Sequence, residues 1–233
     1  MGTVKKTSLD EFNNPRKGGI IAVNLDDGDY LIGAALTDGK HDVMLFSDGG
    51  KAVRFDENDV RPLGRSARGV RGMSLDDGQS VIALLVAEQE NAVTDESVIA
   101  RNSVLTATEN GYGKRTPIDE YTRHGRGTKG MIAISTSARN GKVVGAVLAN
   151  ATDQIMLITT GGVLVRTPVA GIREMGRATQ GVTLISVDDG SMLSGVRRVV
   201  ESDVDDEGDD PSVEGTTPDA NAAGTLDGAG SES

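Results

Sequence analysis

Lysine and arginine recur in this chain at positions set by glycine. Lys6, Arg54, Arg115 and Arg166 each stand four residues after a glycine, at Gly2, Gly50, Gly111 and Gly162. Lys5 and Lys114 sit directly before two of them. A second set gathers around another recurrent glycine, at Gly19, Gly69, Gly130 and Gly181. It comprises Arg16 and Lys17; Arg61, Arg65, Arg68 and Arg71; Arg123, Arg126 and Lys129; and Arg173 with Arg177. Cations repeated in step with an architecture suit a partner with repeated anions, and the phosphates of nucleic acid form such a series. Equivalent positions in stacked units fall at equivalent places on a rim. The cations are therefore expected as a stripe around the circumference, with the acids gathered in the opposite turns. The competing reading is a solvated surface of balanced charge.

Other chemistry is sparse. His41 lies in an acidic turn and His124 in a basic loop, so a shared metal site is not expected. The pairs Asp26-Asp27, Asp76-Asp77 and Asp188-Asp189 each precede a glycine and read as turn chemistry, not as cation ligands. The stretch Gly125 to Gly130 lacks phosphate-loop spacing and a following helix. No catalytic residue is assigned. Tyr30, Tyr112 and Tyr121 sit in strand or turn contexts that do not make a nucleophile.

The elements that carry the cations follow from the period. The Gly19 series advances by 50, 61 and 51 residues, and a second glycine follows nine residues on at Gly28, Gly78 and Gly190. A repeat near fifty residues marks a propeller or solenoid, whose units bury their apolar faces only by stacking. In the second unit, Val43 to Phe46 is a continuous apolar run, as in a strand covered on both faces. A turn at Ser47 to Gly50 leads into a second strand at Lys51 to Phe55. A polar loop separates this hairpin from strands at Val70 to Leu75 and Ser80 to Val86. The third unit repeats the order at Val104 to Thr108, Lys114 to Pro117, Met131 to Thr136 and Val143 to Leu148. The fourth does so at Ile155 to Thr159, Val163 to Thr167, Val182 to Val187 and Met192 to Val199. The fold class is all-β, a propeller-like arrangement of about four four-stranded blades over residues 1–200, with repeats near 1–36, 42–86, 104–149 and 154–200. Ala87 to Ser103 reads as a surface insertion. The first unit lacks an apolar strand ahead of Gly2, which leaves a bare edge and makes the chain look like the back portion of something longer; alternatively, Met192 to Val199 closes a ring beside it.

Charge divides the chain in two. The 233 residues carry 35 acids against 24 Lys plus Arg. Residues 201–233 hold eleven acids and no base, which leaves residues 1–200 neutral with 24 of each. Such a tail offers too little apolar surface to offset the entropy of ordering and is expected to be disordered. Cysteine is absent, in keeping with a reducing cytoplasm. No apolar run reaches the length of a membrane span, so no membrane partner is expected.

A rim of cations on stacked blades fits double-stranded DNA bent along it, held by phosphate contacts without regard to sequence. The scarcity of aromatics, 3% of residues, argues against stacking on single strands.

Several stretches carry a closer likeness: Gly2-Thr3-Val4-Lys5-Lys6-Thr7, Val43-Met44-Leu45-Phe46-Ser47, Arg68-Gly69-Val70-Arg71-Gly72, Asn110-Gly111-Tyr112-Gly113-Lys114-Arg115-Thr116 and Gln180-Gly181-Val182. In these, residues 2 to about 200 resemble the C-terminal domain of the DNA gyrase A subunit, with the topoisomerase IV counterpart as a relative. The resemblance implies a β-pinwheel, a propeller whose blades exchange strands and whose rim wraps DNA to support ATP-driven negative supercoiling. It implies the rest of the gyrase A polypeptide and the gyrase B polypeptide as partners, and a tail that modulates wrapping. ATP and magnesium belong, on this resemblance, to other parts of that assembly, so no cofactor is expected in this chain. The family's Gln-Arg-Arg-Gly-Gly-Lys-Gly box has only degenerate analogues here, Arg16 to Gly19 and Arg126 to Gly130. The DNA-contacting set expected from the repeated cation positions is Lys5, Lys6, Arg16, Lys17, Arg54, Arg65, Arg68, Arg71, Lys114, Arg115, Arg123, Arg126, Lys129, Arg166 and Arg177. The rival readings are a topoisomerase IV domain guiding substrate choice and a protein-binding propeller scaffold.

Overall fold

The structure is a computed structural model that describes residues 1–89 and 103–199. Its strands run in chain order: β1 (Thr3–Val4), β2 (His41–Ser47), β3 (Lys51–Asp56), β4 (Val70–Arg71), β5 (Val81–Glu88), β6 (Ser103–Thr108) and β7 (Tyr112–Pro117). They continue with β8 (Met131–Ile132), β9 (Val143–Ala149), β10 (Gln154–Thr159), β11 (Leu164–Pro168), β12 (Val182–Thr183) and β13 (Leu193–Val199). Every helical segment among the described residues is a single 3-10 turn of three or four residues. Contacts group Met1–Val200 as one compact unit.

Each complete unit starts from a hairpin. β2 pairs β3 from Asp42↔Asp56 to Phe46↔Ala52, and β6 pairs β7 from Ser103↔Pro117 to Ala107↔Gly113. The unit's last strand lies on the hairpin's other side, as β5 on β2, β9 on β6 and β13 on β10. All three pairings slip register at the same place, at Phe46/Ser47, Ala107/Thr108 and Ile158/Thr159. A repeated bulge re-aims the chain into the turn that follows.

The third strand leaves its own unit. β8 pairs with β3, β12 with β7, and β4 with β1, so each crosses to the preceding hairpin. The sheets are β5-β2-β3-β8, β9-β6-β7-β12, β13-β10-β11 and the pair β1-β4. The sheets are those of a propeller whose units exchange their third strands, as expected, and the first unit is the incomplete one. The first unit contributes only β1, and residues 20–37 carry no strand. β13 pairs with β10 and not with the first unit, so the alternative of ring closure is not what the fold shows. The remainder of the Ala87 to Ser103 insertion, and the acidic tail, fall outside the described residues.

The core lies between successive sheets, which is why the hairpin strands are apolar on both faces. Met44 and Phe46 on β2 pack with Val104 and Tyr121 of the next unit, while Leu45 turns the other way toward Val53, Val60 and Met73. Neighbouring residues of a strand point to opposite faces. The Tyr121 ring meets Phe46 edge-on, with centroids 6.1 Å apart. A third cluster around Leu105, Ile155, Leu157, Ile172 and Val196 joins the last two units.

Candidate nucleic-acid interface

The cation-bearing loops hang on the preceding unit at one repeated point. Leu63 N donates to Lys6 O, His124 N to Arg54 O and Met175 N to Arg115 O, each at 2.8 Å. The acceptor is in each case the cation four residues past the turn glycine. This bond joins the loops before β4, β8 and β12 to the preceding unit at equivalent points.

The side chains of that same strand position do something else. Arg54 is 5% exposed; its Nε donates to Asp42 at 2.7 Å, and its guanidinium reaches Ile118 O and Tyr121 O at 3.0 and 3.1 Å. Arg115 Nε donates to Ile172 O at 2.8 Å. Lys6 lies 2.9 Å from the buried carboxylate of Glu57. Each clamps the 3-10 turn or cap of the following unit. Lys114, fully buried, donates to the carbonyls of Gly176 and Arg177, and Lys5 donates to those of Ala22 and Arg65. Burial pushes the Lys114 ammonium down to about 8, with Glu120 opposing and Arg177 reinforcing the shift. Arg54 and Lys114 are thus corrected from rim cations to clamps inside the protein. A side chain withdrawn from water and committed to carbonyls does not meet a phosphate. Arg166, on the open strand β11, is exposed and donates to Gln154.

The loop arginines four residues before the Gly69 series repeat a second bond. Arg65 donates to Ile21 O at 2.8 Å, Arg126 to Arg71 O at 3.0 Å and Arg177 to Ile132 O at 3.1 Å. The acceptor is always the second residue after the landmark glycine of the preceding unit. A guanidinium has five N–H donors, so one carbonyl leaves most of the fork for another anion. Arg126 is exposed, while Arg65 and Arg177 are half-buried.

Nine exposed cations stand in or beside these loops: Arg16, Lys17, Arg61, Arg68, Arg71, Arg123, Arg126, Lys129 and Arg173. Three of them pair with acids. Arg68 meets Asp26 at 2.6 Å, Lys129 meets Asp76 at 2.6 Å, and Arg123 meets Asp42 at 2.9 Å. Hydrogen bonds from Lys129 and Lys51 hold the Asp76 carboxylate down at about 2. The acidic turn of one unit therefore reaches the loop cation of the next, which corrects the expectation that acids gather apart from the cations. The Arg68–Asp26 and Lys129–Asp76 pairs are exposed and therefore weak, so a phosphate can displace the acid from them.

Sequence reasoning missed the acids that organise the joints. Glu57 is 2% exposed and receives Lys6, the Thr37 hydroxyl and the backbone N–H groups of Gly39 and His41. Burial pushes its pKa up, but these four donors outweigh it and hold the group at about 2. Asp38, His41 and Glu57 bring ligand atoms within 4.8 Å of one another, but the Lys6 ammonium already meets the Glu57 charge. His124 is exposed in its loop. Of the tyrosines, Tyr121 is buried, Tyr112 lies under the Arg139 guanidinium at 4.7 Å, and Tyr30 is open to solvent. Arg197 and Arg198 on β13 are exposed cations outside the expected set.

Stacked sheets that exchange strands, with a cation-bearing loop at every joint, define a propeller. The family described as "DNA gyrase C-terminal domain, beta-propeller" matches residues 2–38, 41–88, 102–150 and 153–199, and the chain belongs to that family. It is 52% identical over 206 residues to the DNA gyrase A polypeptide of Salmonella typhimurium, covering 88% of this chain and 22% of that protein. It is 47% identical over 213 residues to the same polypeptide of Pseudomonas aeruginosa, covering 91% of this chain and again 22% of the relative. The chain thus spans about a fifth of the length of these relatives. Among solved structures, the DNA gyrase A C-terminal domain superposes with a TM-score of 0.72 at 26% identity, over 85% of this chain and 63% of the other. The C-terminal domain of DNA topoisomerase IV gives 0.75 at 26% identity, over 85% and 59%. Among the described residues, no helix is long and apolar enough to cross a membrane.

Proposed function

We propose that this chain binds double-stranded DNA without regard to sequence and bends it along the edge where the loops align, as the DNA-wrapping module of a gyrase A polypeptide. The observation that supports the reading is the series of bonds from Leu63, His124 and Met175 to Lys6, Arg54 and Arg115, which hangs each of three cation-bearing loops on the preceding unit at an equivalent point. With the seven exposed cations in or beside these three loops engaged, log affinity should fall against log salt with a slope near −6. Bending a 20–30 bp site costs on the order of 1–6 kcal/mol, so several loops must act on one duplex. The edge has the cations for wrapping, while cleavage and ATP chemistry are assigned to other parts of a holoenzyme built from the gyrase A and gyrase B polypeptides. ATP and magnesium enter there, and the setting is the bacterial cytoplasm. Gel shifts with random duplex at low and high salt test this reading. Binding that ignores salt would favour a protein-binding scaffold instead.

A further inference from the structure

The acidic turns meet the loop cations at one repeated point. Asp26 and Asp76 each stand two residues before a turn glycine, Gly28 and Gly78. Arg68 and Lys129 each stand one residue before a landmark glycine of the following unit, Gly69 and Gly130. Arg68 Nη1 lies 2.6 Å from Asp26 Oδ1, and Lys129 Nζ lies 2.6 Å from Asp76 Oδ1. The Asp76 carboxylate is shared. Its second oxygen takes Lys51 Nζ at 3.0 Å, from the first position of β3.

At the third joint both charges are gone together. Gln180 stands before Gly181 in place of the cation, and the turn reads Arg139-Asn140-Gly141 in place of the acids. The turn still reaches the loop, since Asn140 Nδ2 donates to Gln180 O at 3.1 Å. All three joints therefore keep a contact between turn and loop, while acid and cation are present together or absent together. Joining the units does not call for the charges, because a neutral contact does it at the third joint and exposed ion pairs add little stability. What the charges add is a carboxylate seated on each loop cation. With the acid in place the side chains of Arg68 and Lys129 are still 71% and 68% exposed, so an approaching anion can reach them.

We propose, resting on the duplex-binding reading above, that Asp26 and Asp76 occupy the seats of two DNA phosphates and compete with the duplex for Arg68 and Lys129. Lys51, which the repeated cation positions leave out, is then a second ligand of the phosphate that displaces Asp76. A carboxylate and a phosphate diester each present two acceptor oxygens with a negative charge, so one replaces the other on the same donors. The Asp76 seat offers one ammonium to each oxygen, and a bridging phosphate takes them in the same way. Each displacement subtracts a broken ion pair from a phosphate contact. The turns thus hold duplex affinity below what the loop cations alone would give, and the effect fades as salt screens the pairs.

The test uses the full chain and a random-sequence duplex in fluorescence anisotropy at low salt. Asp26→Asn with Asp76→Asn should tighten binding by about 3–20-fold, the range expected for two exposed ion pairs. Asp27→Asn with Asp77→Asn removes the same charge one residue further along the same exposed turns, outside the two pairs, and should tighten binding clearly less. In an Arg68→Gln chain, Asp26→Asn should gain no more than Asp27→Asn, because the cation it covers is absent. Lys51→Gln should weaken binding more in the Asp76→Asn chain than in wild type. Circular dichroism should show the same fold in every variant. Equal gains from the two pairs of acids would reflect net charge alone and overturn the proposal, while leaving duplex binding in place. Wild type and Asn variants that all fail to bind overturn it together with the duplex reading, and Lys51→Gln without effect in either background overturns the role given to Lys51.

Discussion

Replacing Arg54 by Met separates a clamp from a DNA contact. The guanidinium is 5% exposed, bonds Asp42 at 2.7 Å and holds Ile118 O and Tyr121 O at 3.0 and 3.1 Å. Methionine keeps the apolar stem but leaves the fully buried Asp42 with only Arg123 nearby and strips two carbonyls of their donor. Removing one partner of a buried ion pair costs about 3–5 kcal/mol where the remaining charge is left uncompensated, an upper bound here because Arg123 stays 2.9 Å from Asp42. In a folded body of this size each kcal/mol shifts Tm by roughly 2–4 °C, so Tm should fall by several degrees and by no more than about 20 °C. Thermal unfolding followed by circular dichroism measures this, and Asp42→Asn in the same background should recover part of the loss. Duplex binding by the variant, measured well below its Tm, should keep the wild-type salt slope. A loss under about 1 kcal/mol would mean that Arg54 is a solvated surface cation. A slope flatter by about one would mean that it contacts a phosphate, and either result refutes the assignment.

The exposed loop pair behaves in the opposite way: Arg68→Ala with Lys129→Ala should leave Tm nearly unchanged and flatten the salt slope by about 2 in fluorescence anisotropy. Lys114 gives a pH signature. Its folded pKa is lowered to about 8 from 10.5, so above pH 8 the unfolded chain binds a proton that the folded chain has lost. Stability must therefore rise with pH across that window. Wild type should gain about 2–3 kcal/mol on Lys114→Met between pH 7 and 10 in urea titrations, and a constant difference would contradict the burial argument. Gly19→Ala should cost about 1–2 kcal/mol from its positive φ alone. Gly130→Ala must also push the Ala52 carbonyl aside and should cost clearly more in the same titration. Deleting residues 201–233 removes eleven acids on one tether and should tighten duplex binding; unchanged affinity would show that the tail does not compete for the loop cations.

The period and the cation positions were legible because they are local. A glycine at positive φ, an acidic turn and a four-residue apolar run each impose their conformation within a few residues. The repeat then places equivalents at equivalent sites, and the hairpins β2-β3 and β6-β7 follow from it directly. The sequence pattern also marked Val43 to Phe46 as covered on both faces, and Met44 and Leu45 do pack into different clusters. What the sequence could not distinguish is Lys5 from Lys17, or Arg54 from Arg61. All four read as a cation near a recurrent glycine, and only burial separates them.

By itself, then, the amino-acid sequence determined an all-β repeat, the spacing of its hairpins and the register of cations within each unit, since these depend on neighbours along the chain. The tertiary structure decided which hairpin receives each third strand, and which cations are clamps and which are presented. Those outcomes depend on residues sixty or so positions apart, such as Arg54 and Tyr121 or Lys114 and Arg177. Whether a charge faces water or a carbonyl is settled only once the next unit has packed against it.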